Sequence, residues 1–172
     1  DLLDVSAIEA GQLALNLQPT DLASLVRHNV TLNRVLASQQ QRELTCACAD
    51  DLPSLVVDRA KLDQVLNNLI SNAVKYSFPA TAIHVDLKRA GAWVVLSVQD
   101  HGQGIPATET ERLFKAFSKT SSKSTTGEKS TGLGLAIVSK IIQGHSGKLW
   151  VESTVGKGAT FFVALPVSGY QE

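Results

Sequence analysis

The chain has little cysteine, no net charge and no long apolar run, and each shortage excludes something. Its two cysteines, Cys46 and Cys48 in LTCACAD, are too few for a disulfide framework. Strand alternation aims both at one face, and no further Cys or His stands at ligand spacing, so buried thiols in a reducing compartment are expected rather than a metal site. Sixteen basic residues balance sixteen acidic ones, which removes any general attraction for nucleic acid or an anionic membrane. No segment approaches the roughly 18 apolar residues of a spanning helix, and the opening DLLDVSAIEAG has no basic region leading into an apolar one. The 172 residues therefore read as one soluble domain, long enough to bury a real core.

The most informative stretch is AKLDQVLNNLISNAVKYS, from Ala60 to Ser77. Wound as a helix, it places Leu62, Leu66, Leu69 and Ala73 on one face, flanked by Val65 and Ile70, as a core surface. Asn68, Asn72 and Lys75 then share a different face with Tyr76 beside them, because side chains at i and i+4 stack. Carboxamide oxygens suit a hard divalent cation, an ammonium suits phosphate and an aromatic ring suits a purine, so this face is a candidate holder of a Mg-nucleotide. Two Asn residues alone would be an ordinary solvated face; the remaining segments must decide.

In chain order, DLLDVSAIEAGQLAL spaces Leu2, Leu3, Val5, Ile8 and Leu13 near a helical period with Gly11 as a stop, and is expected to be the tail of a longer helix that begins upstream. Thr20 or Asp21 caps a second helix, with Leu22, Leu25, Val26, Val30, Leu32 and Val35 as its apolar stripe and His28 as an ordinary surface or packing residue. Strands are expected at Glu43 to Ala49 and Leu55 to Val57, and Asp58 caps the Asn-bearing helix. An antiparallel hairpin follows, alternating at Ile83, Val85 and Leu87 and again from Trp93 to Val98 around Ala90-Gly91. It leads into Asp100-His101-Gly102-Gln103-Gly104-Ile105, a carboxylate at a strand end beside glycines that let a flat ligand lie against backbone. A short apolar helix is expected around Leu113, Phe114 and Phe117. Ser118 to Gly132 is small and polar, with Lys119, Lys123 and Lys129, either a flap that orders over an anion or a surface loop with incidental lysines. Gly132-Leu133-Gly134-Leu135 opens a helix whose free amides would make an anion site. A final hairpin, Lys148 to Ser153 and Thr160 to Leu165, turns at Gly156-Lys157-Gly158. Helices first and hairpin-linked strands after them predict an α+β sandwich with helices on one face of a mainly antiparallel sheet.

Each glycine motif alone is weak, and GLGLA alone suits a dinucleotide fingerprint as well as a helix cap. A Rossmann dehydrogenase is disfavoured because GLGLA follows a polar stretch rather than a strand. The order of motifs is stronger: Asn-x3-Asn-x2-Lys-Tyr, Asp-x-Gly-x-Gly-Ile, Phe-x2-Phe, a polar stretch, Gly-Leu-Gly-Leu, and Gly-x-Gly-x-Thr-Phe. In this order, from Asp58 to Leu165, the chain resembles the ATP-binding catalytic domain of sensor histidine kinases, within the gyrase, chaperone, kinase and mismatch-repair ATPase superfamily.

The resemblance implies a two-layer α/β sandwich of Bergerat type and the cofactors ATP and Mg2+. It implies that Asn72 coordinates the metal with Asn68 close by, that Lys75 contacts phosphate and that Tyr76 packs near adenine. Asp100 accepts the adenine amino proton, and Gly102, Gly104 and Ile105 border the base. Phe114 and Phe117 form the phenylalanine box, Thr131, Gly132, Leu133, Gly134 and Leu135 the phosphate-side glycine box, and Thr160 closes the adenine pocket. Asn68 and Lys119 are the implied catalytic pair, Lys119 near the γ-phosphate. Hydrolysing relatives typically carry a Glu at the position of Asn68, and a carboxamide has no such basicity, so a kinase is favoured over an ATPase or a non-catalytic nucleotide-binding module. Residues 1–16 resemble the tail of an upstream dimerisation helix and linker, 17–167 the catalytic domain and 168–172 a tail. A phospho-acceptor His followed by an acid and Arg-Thr-Pro is absent, since His28, His84, His101 and His145 lie in other contexts, so autophosphorylation is not expected. The implied partners are a histidine-bearing dimerisation domain of the same homodimeric parent and, indirectly, a response regulator. The implied compartment is the cytoplasm, with an inner-membrane anchor for the parent left open and neither nucleic acid nor membrane touched by this domain.

Overall fold

The computed structural model describes Ser6 and residues 13–128 and 131–167. Most of the expected opening helix, with its Gly11 stop, and likewise Lys129 and the polar tail at 168–172 lie outside the described residues. The chain runs β1 (Gln18–Thr20), α1 (Leu22–Gln39), β2 (Glu43–Cys48), β3 (Leu55–Val57), α2 (Arg59–Tyr76), β4 (Ala82–Ala90), β5 (Trp93–Gln99), α3 (Ala107–Thr110), α4 (Gly134–Gly144), β6 (Lys148–Thr154) and β7 (Gly158–Pro166).

Strand alternation explains the main sheet. Ile83, Val85 and Leu87 of β4, Val94, Leu96 and Val98 of β5, and Phe161, Val163 and Leu165 of β7 are all buried, and they face the helices because successive side chains point to opposite sides. The order is β2-β4-β5-β7-β6. β2 and β4 are parallel and the other pairings antiparallel, so the sheet is mixed but mainly antiparallel, with the helices on one face. On the other face Trp150 stacks on Phe162 at 5.1 Å between ring centroids, and Lys148 Nζ lies 4.6 Å from the Trp93 ring. A small two-stranded sheet pairs β1 with β3.

α2 is the central helix, packed against both α1 and α4. Its buried residues are Leu62, Val65, Leu66, Leu69, Ile70, Ala73 and Val74, the face expected from the period. Asp58 caps it by accepting from Lys61 N, and also accepts from Asn16 N. The Asp58 N–H donates to His145 Nε2, while His145 Nδ1–H donates to the Ile141 carbonyl, so one neutral histidine pins the start of α2 to the end of α4. Asp58→Ala is expected to destabilise the fold by about 1–2 kcal/mol, read as a lower urea midpoint at unchanged m-value.

In α1, capped by Asp21 through Ser24 N, the stripe departs from expectation. Leu22, Leu25, Val26 and Val30 are buried, but Leu32 and Val35 are each 63% exposed: at roughly 100° per residue Val35 turns away from the buried arc, while Leu32, seven positions after Leu25, stands at its edge. Asn29 occupies that arc instead and donates to Asp63 and Asn67 of α2, so a polar contact sets this helix pair. His28 is exposed. Cys46 and Cys48 are free, with sulfurs 3.6 Å apart on one face, as alternation requires. They are half-buried rather than buried, because β2 is an edge strand. Burial, then the neighbouring Cys46, pushes the Cys48 thiol up to about 12.

The apolar helix expected around Leu113 to Phe117 is the other departure. α3 ends at Thr110, and Phe117 has φ +60°, a left-handed conformation that no α-helix accommodates. Turns carry this stretch, with Leu113 buried and Phe114 edge-on to Phe161 at 6.3 Å. Among the described residues no helix is long and apolar enough to cross a membrane.

Candidate functional site

β5 ends where α2 ends. Ser77 pairs with Gly102 in an isolated bridge, and a Cβ at Gly102 would lie 2.0 Å from the Tyr76 carbonyl oxygen. Glycine is therefore required for the strand exit to press against the helix terminus. This junction brings Asp100, one residue past β5, and Asn72 of α2 to the same cavity of about 370 Å³, within the range of about 300–1,000 Å³ usual for cofactor sites.

Asp100 is 6% exposed. Its Oδ1 accepts from Gly102 N at 3.0 Å and from Ala159 N at 3.3 Å. Burial pushes its pKa up to about 6, opposed by those two N–H donors and by His101. At neutral pH the group is still mainly an anion, an acceptor-only side chain.

Of the residues expected at the site, Asn72, Tyr76, Asp100, Gly104, Ile105, Lys119, Gly132, Gly134 and Leu135 line the cavity. Asn68 stands at its edge, where Nδ2 donates to the Gly134 carbonyl at 3.3 Å, tying α2 to the start of α4. Lys75 is half-buried on the last turn of α2, and Gly102 lies buried behind Asp100. Leu133 is buried in the core, and Thr131 Oγ1 accepts from its N–H. Phe117 is 63% exposed and does not line the cavity, although its N–H donates to the carbonyl of the lining residue Gly132. Thr160 lines an adjoining depression with Glu152 and Lys157, which shares Asp100 and Ala159 with the cavity, because alternation along β7 puts Thr160 on the side opposite Phe161.

Ala159 lines the cavity without standing out in any motif, and Phe161, the last residue of Gly-x-Gly-x-Thr-Phe, lines it too, although the resemblance assigns the pocket to Thr160. The signal was present: in Gly158-Ala159-Thr160-Phe161 the same alternation that buries Phe161 turns Thr160 away.

α4 begins at Gly134 without a side-chain cap and without an acid in its first turn. The first amides of a helix have no partner within the helix and carry partial positive charge, and Gly134 and Leu135 at this start face the cavity, with Gly132 also on its wall. Ser118 to Glu128 cross its mouth. They do not pack through apolar side chains; polar bonds hold them, Ser121 N to Glu109 Oε2, Ser122 Oγ to Gly104 O and Lys123 N to Gln103 Oε1. The segment is thus a lid, whose Lys119 and Glu128 reach the cavity wall.

Among the described residues no three His, Cys, Asp or Glu side chains gather as a metal cage. The carboxamide of Asn72 beside an anion-attracting helix start suits Mg2+, which keeps its waters and takes substrate phosphates as ligands rather than an all-protein shell.

These features define a class, an α+β sandwich with a nucleotide-sized cavity between a buried acid and an open helix start. Residues 57–169 match the family described as histidine kinase-, DNA gyrase B-, and HSP90-like ATPase, and the chain belongs to that family. It is 34% identical to the alginate biosynthesis sensor protein KinB of Pseudomonas aeruginosa over 169 residues, 97% of this chain but 27% of that protein. Full-length ShkA, solved in complex with AMPPNP, superposes with a TM-score of 0.86 at 29% identity, covering 99% of this chain and 35% of that one. The nucleotide-free catalytic domain of histidine kinase ThkA superposes with a TM-score of 0.76 at 28% identity, covering 88% of this chain and 96% of that one. The chain thus corresponds to the ATP-binding domain of the histidine kinases and spans only a fraction of the longer sensor proteins that it resembles.

Proposed function

We propose that this chain is the catalytic domain of a sensor histidine kinase, which transfers the γ-phosphate of Mg-ATP to a histidine on a dimerisation domain of the same parent protein. The observation that carries this reading is the convergence of Asp100 and Asn72 on one cavity. Asp100 accepts the exocyclic N–H of adenine and rejects guanine, whose corresponding group is an acceptor. Tyr76 packs near the base, with Gly102, Gly104 and Ile105 along it. Asn72 holds the Mg2+ that the phosphates bring, with Asn68 beside it. Lys75, Lys119 and the amides at Gly132 to Leu135 offset phosphate charge, which is most of what phosphoryl transfer asks of a protein.

Asn68 also bears on the outcome, because a carboxamide supplies no general base to activate water and transfer is favoured over hydrolysis. In this reading residues 17–167 are the catalytic unit, the parent works as a homodimer in the cytoplasm, and a response regulator receives the phosphate from the histidine.

The test supplies γ-labelled Mg-ATP to this chain with a separate histidine-bearing dimerisation domain. Acid-labile, alkali-stable label on the partner is expected, and none on this chain. Steady phosphate release without label on the partner would replace the kinase by a hydrolase.

A further inference from the structure

The last carbonyls of a helix have no partner within it, and in α2 they are taken by two residues far away in sequence. Thr125, in the middle of the lid, donates its N–H to the Lys75 carbonyl at 2.8 Å. Its hydroxyl lies 2.8 Å from that oxygen and 2.7 Å from the Ser77 carbonyl oxygen. Arg42, just before β2, donates Nη2 to the Ser77 carbonyl and to Thr125 Oγ1, both at 2.6 Å, and Nη1 to the Gln40 carbonyl.

Arg42 is 5% exposed, and no carboxylate among the described residues pairs with it. A buried guanidinium without a counter-ion is expensive; here the negative end of the α2 dipole and a set of carbonyl oxygens stand in for one. Nε of Arg42 and Oγ of Ser77 are buried without partners among the described residues, so the junction carries polar groups that packing alone does not call for. The other lid bonds use Gln103, Glu109 and the Gly104 carbonyl near the rim. The Thr125 contacts join the lid to α2, next to Lys75 and Tyr76.

We propose that Arg42 and Thr125 form a latch that fixes the middle of the lid to the last turn of α2, so that lid position and the Lys75–Tyr76 side of the nucleotide site move as one unit. Both are positioning residues. The consequence for nucleotide rests on the ATP reading above, whereas the latch itself is independent of it. Ser124 and Glu128, on either side of Thr125, form part of the cavity wall. Releasing Thr125 frees that wall and leaves the Ser77 carbonyl to Arg42 alone.

The test has two arms. Without nucleotide, Thr125→Val should speed tryptic cleavage after Lys123 several-fold, while Thr125→Ser, which keeps the hydroxyl, matches the parent chain. Equal rates for Val and Ser overturn the latch. With Mg-ATP, calorimetry should show about tenfold weaker binding for Thr125→Val, the scale of one charge-assisted hydrogen bond, with KM in transphosphorylation rising more than kcat falls. Arg42→Gln should produce the same loss, and the double variant no more than either single. Additive losses overturn the coupling. If Arg42→Gln does not fold, the Val and Ser pair at Thr125 still decides. A parent chain that binds no Mg-ATP refutes the nucleotide reading and leaves the cleavage arm standing.

Discussion

Asp100→Asn is expected to weaken binding of ATP at least about 100-fold, because a site built around one polar partner rejects its mismatch strongly, while the free domain becomes more stable near neutral pH. The first effect follows from the bonds around the carboxylate. Oδ1 already accepts from Gly102 N and Ala159 N. An asparagine must therefore keep its oxygen there and turn its amide N–H groups toward the cavity, where they meet the donating amino group of adenine. Undiminished ATP affinity by calorimetry would exclude the adenine assignment.

The second effect follows from burial. The folded carboxyl titrates near 6 against an ordinary 3.8, so between those values the folded chain holds a proton that the unfolded chain has released. For this group, stability rises as pH falls from about 6 to about 4, and the ionised side chain opposes folding above that window. A shift of this size corresponds to about 3 kcal/mol as an upper bound, and the neutral asparagine escapes it. Nucleotide affinity runs the other way, falling as pH drops through 6 and the acceptor is protonated. Urea unfolding and ATP titration between about pH 5 and 8 should therefore show opposite slopes, and Asp100→Asn should flatten both. A structural carboxylate with no ligand would give only the first.

The other large effect is on the metal. Asn72→Ala should weaken Mg-ATP by at least about 10- to 100-fold, the loss that even an outer-shell partner of a metal ligand commonly costs, and leave Mg-free ATP nearly unchanged. Asn72 is half-buried on the cavity wall, and its removal takes away no apolar packing from the core side of α2. Calorimetry with and without Mg2+ separates the cases, since equal losses in both would mean that the carboxamide contacts the nucleotide directly. Asn68 is a useful contrast: it bonds to Gly134, so Asn68→Ala should also disturb the start of α4 and weaken ATP with or without metal.

Local periodicity made much of this readable in advance. The two faces of α2 follow from one turn of 3.6 residues, and the β4–β5 hairpin from alternation of period two, because each pattern is set by neighbours a few positions away. Asp100 and its glycines were legible for the same reason, as a carboxylate and permissive backbone within five consecutive residues. The apolar cluster at Leu113 to Phe117 misled because hydrophobic spacing cannot report that Phe117 will be held in a left-handed turn by the Gly132 carbonyl, fifteen positions later in the chain. Leu32 and Val35 misled because a stripe counted by composition ignored that a buried Asn29, bonded to α2, occupies the facing position.

The amino-acid order alone settled the class of fold, the helix that bears the two asparagines and the acid opposite them, all of which rest on contacts within a few residues. Tertiary packing settled the parallel pairing of β2 with β4, the choice of Ala159 and Phe161 over Thr160 for the cavity, and the meeting of Arg42 with Thr125 at the end of α2. Those contacts join residues tens of positions apart, and closing such long loops is favourable only when the whole core forms around them. No local pattern announces them.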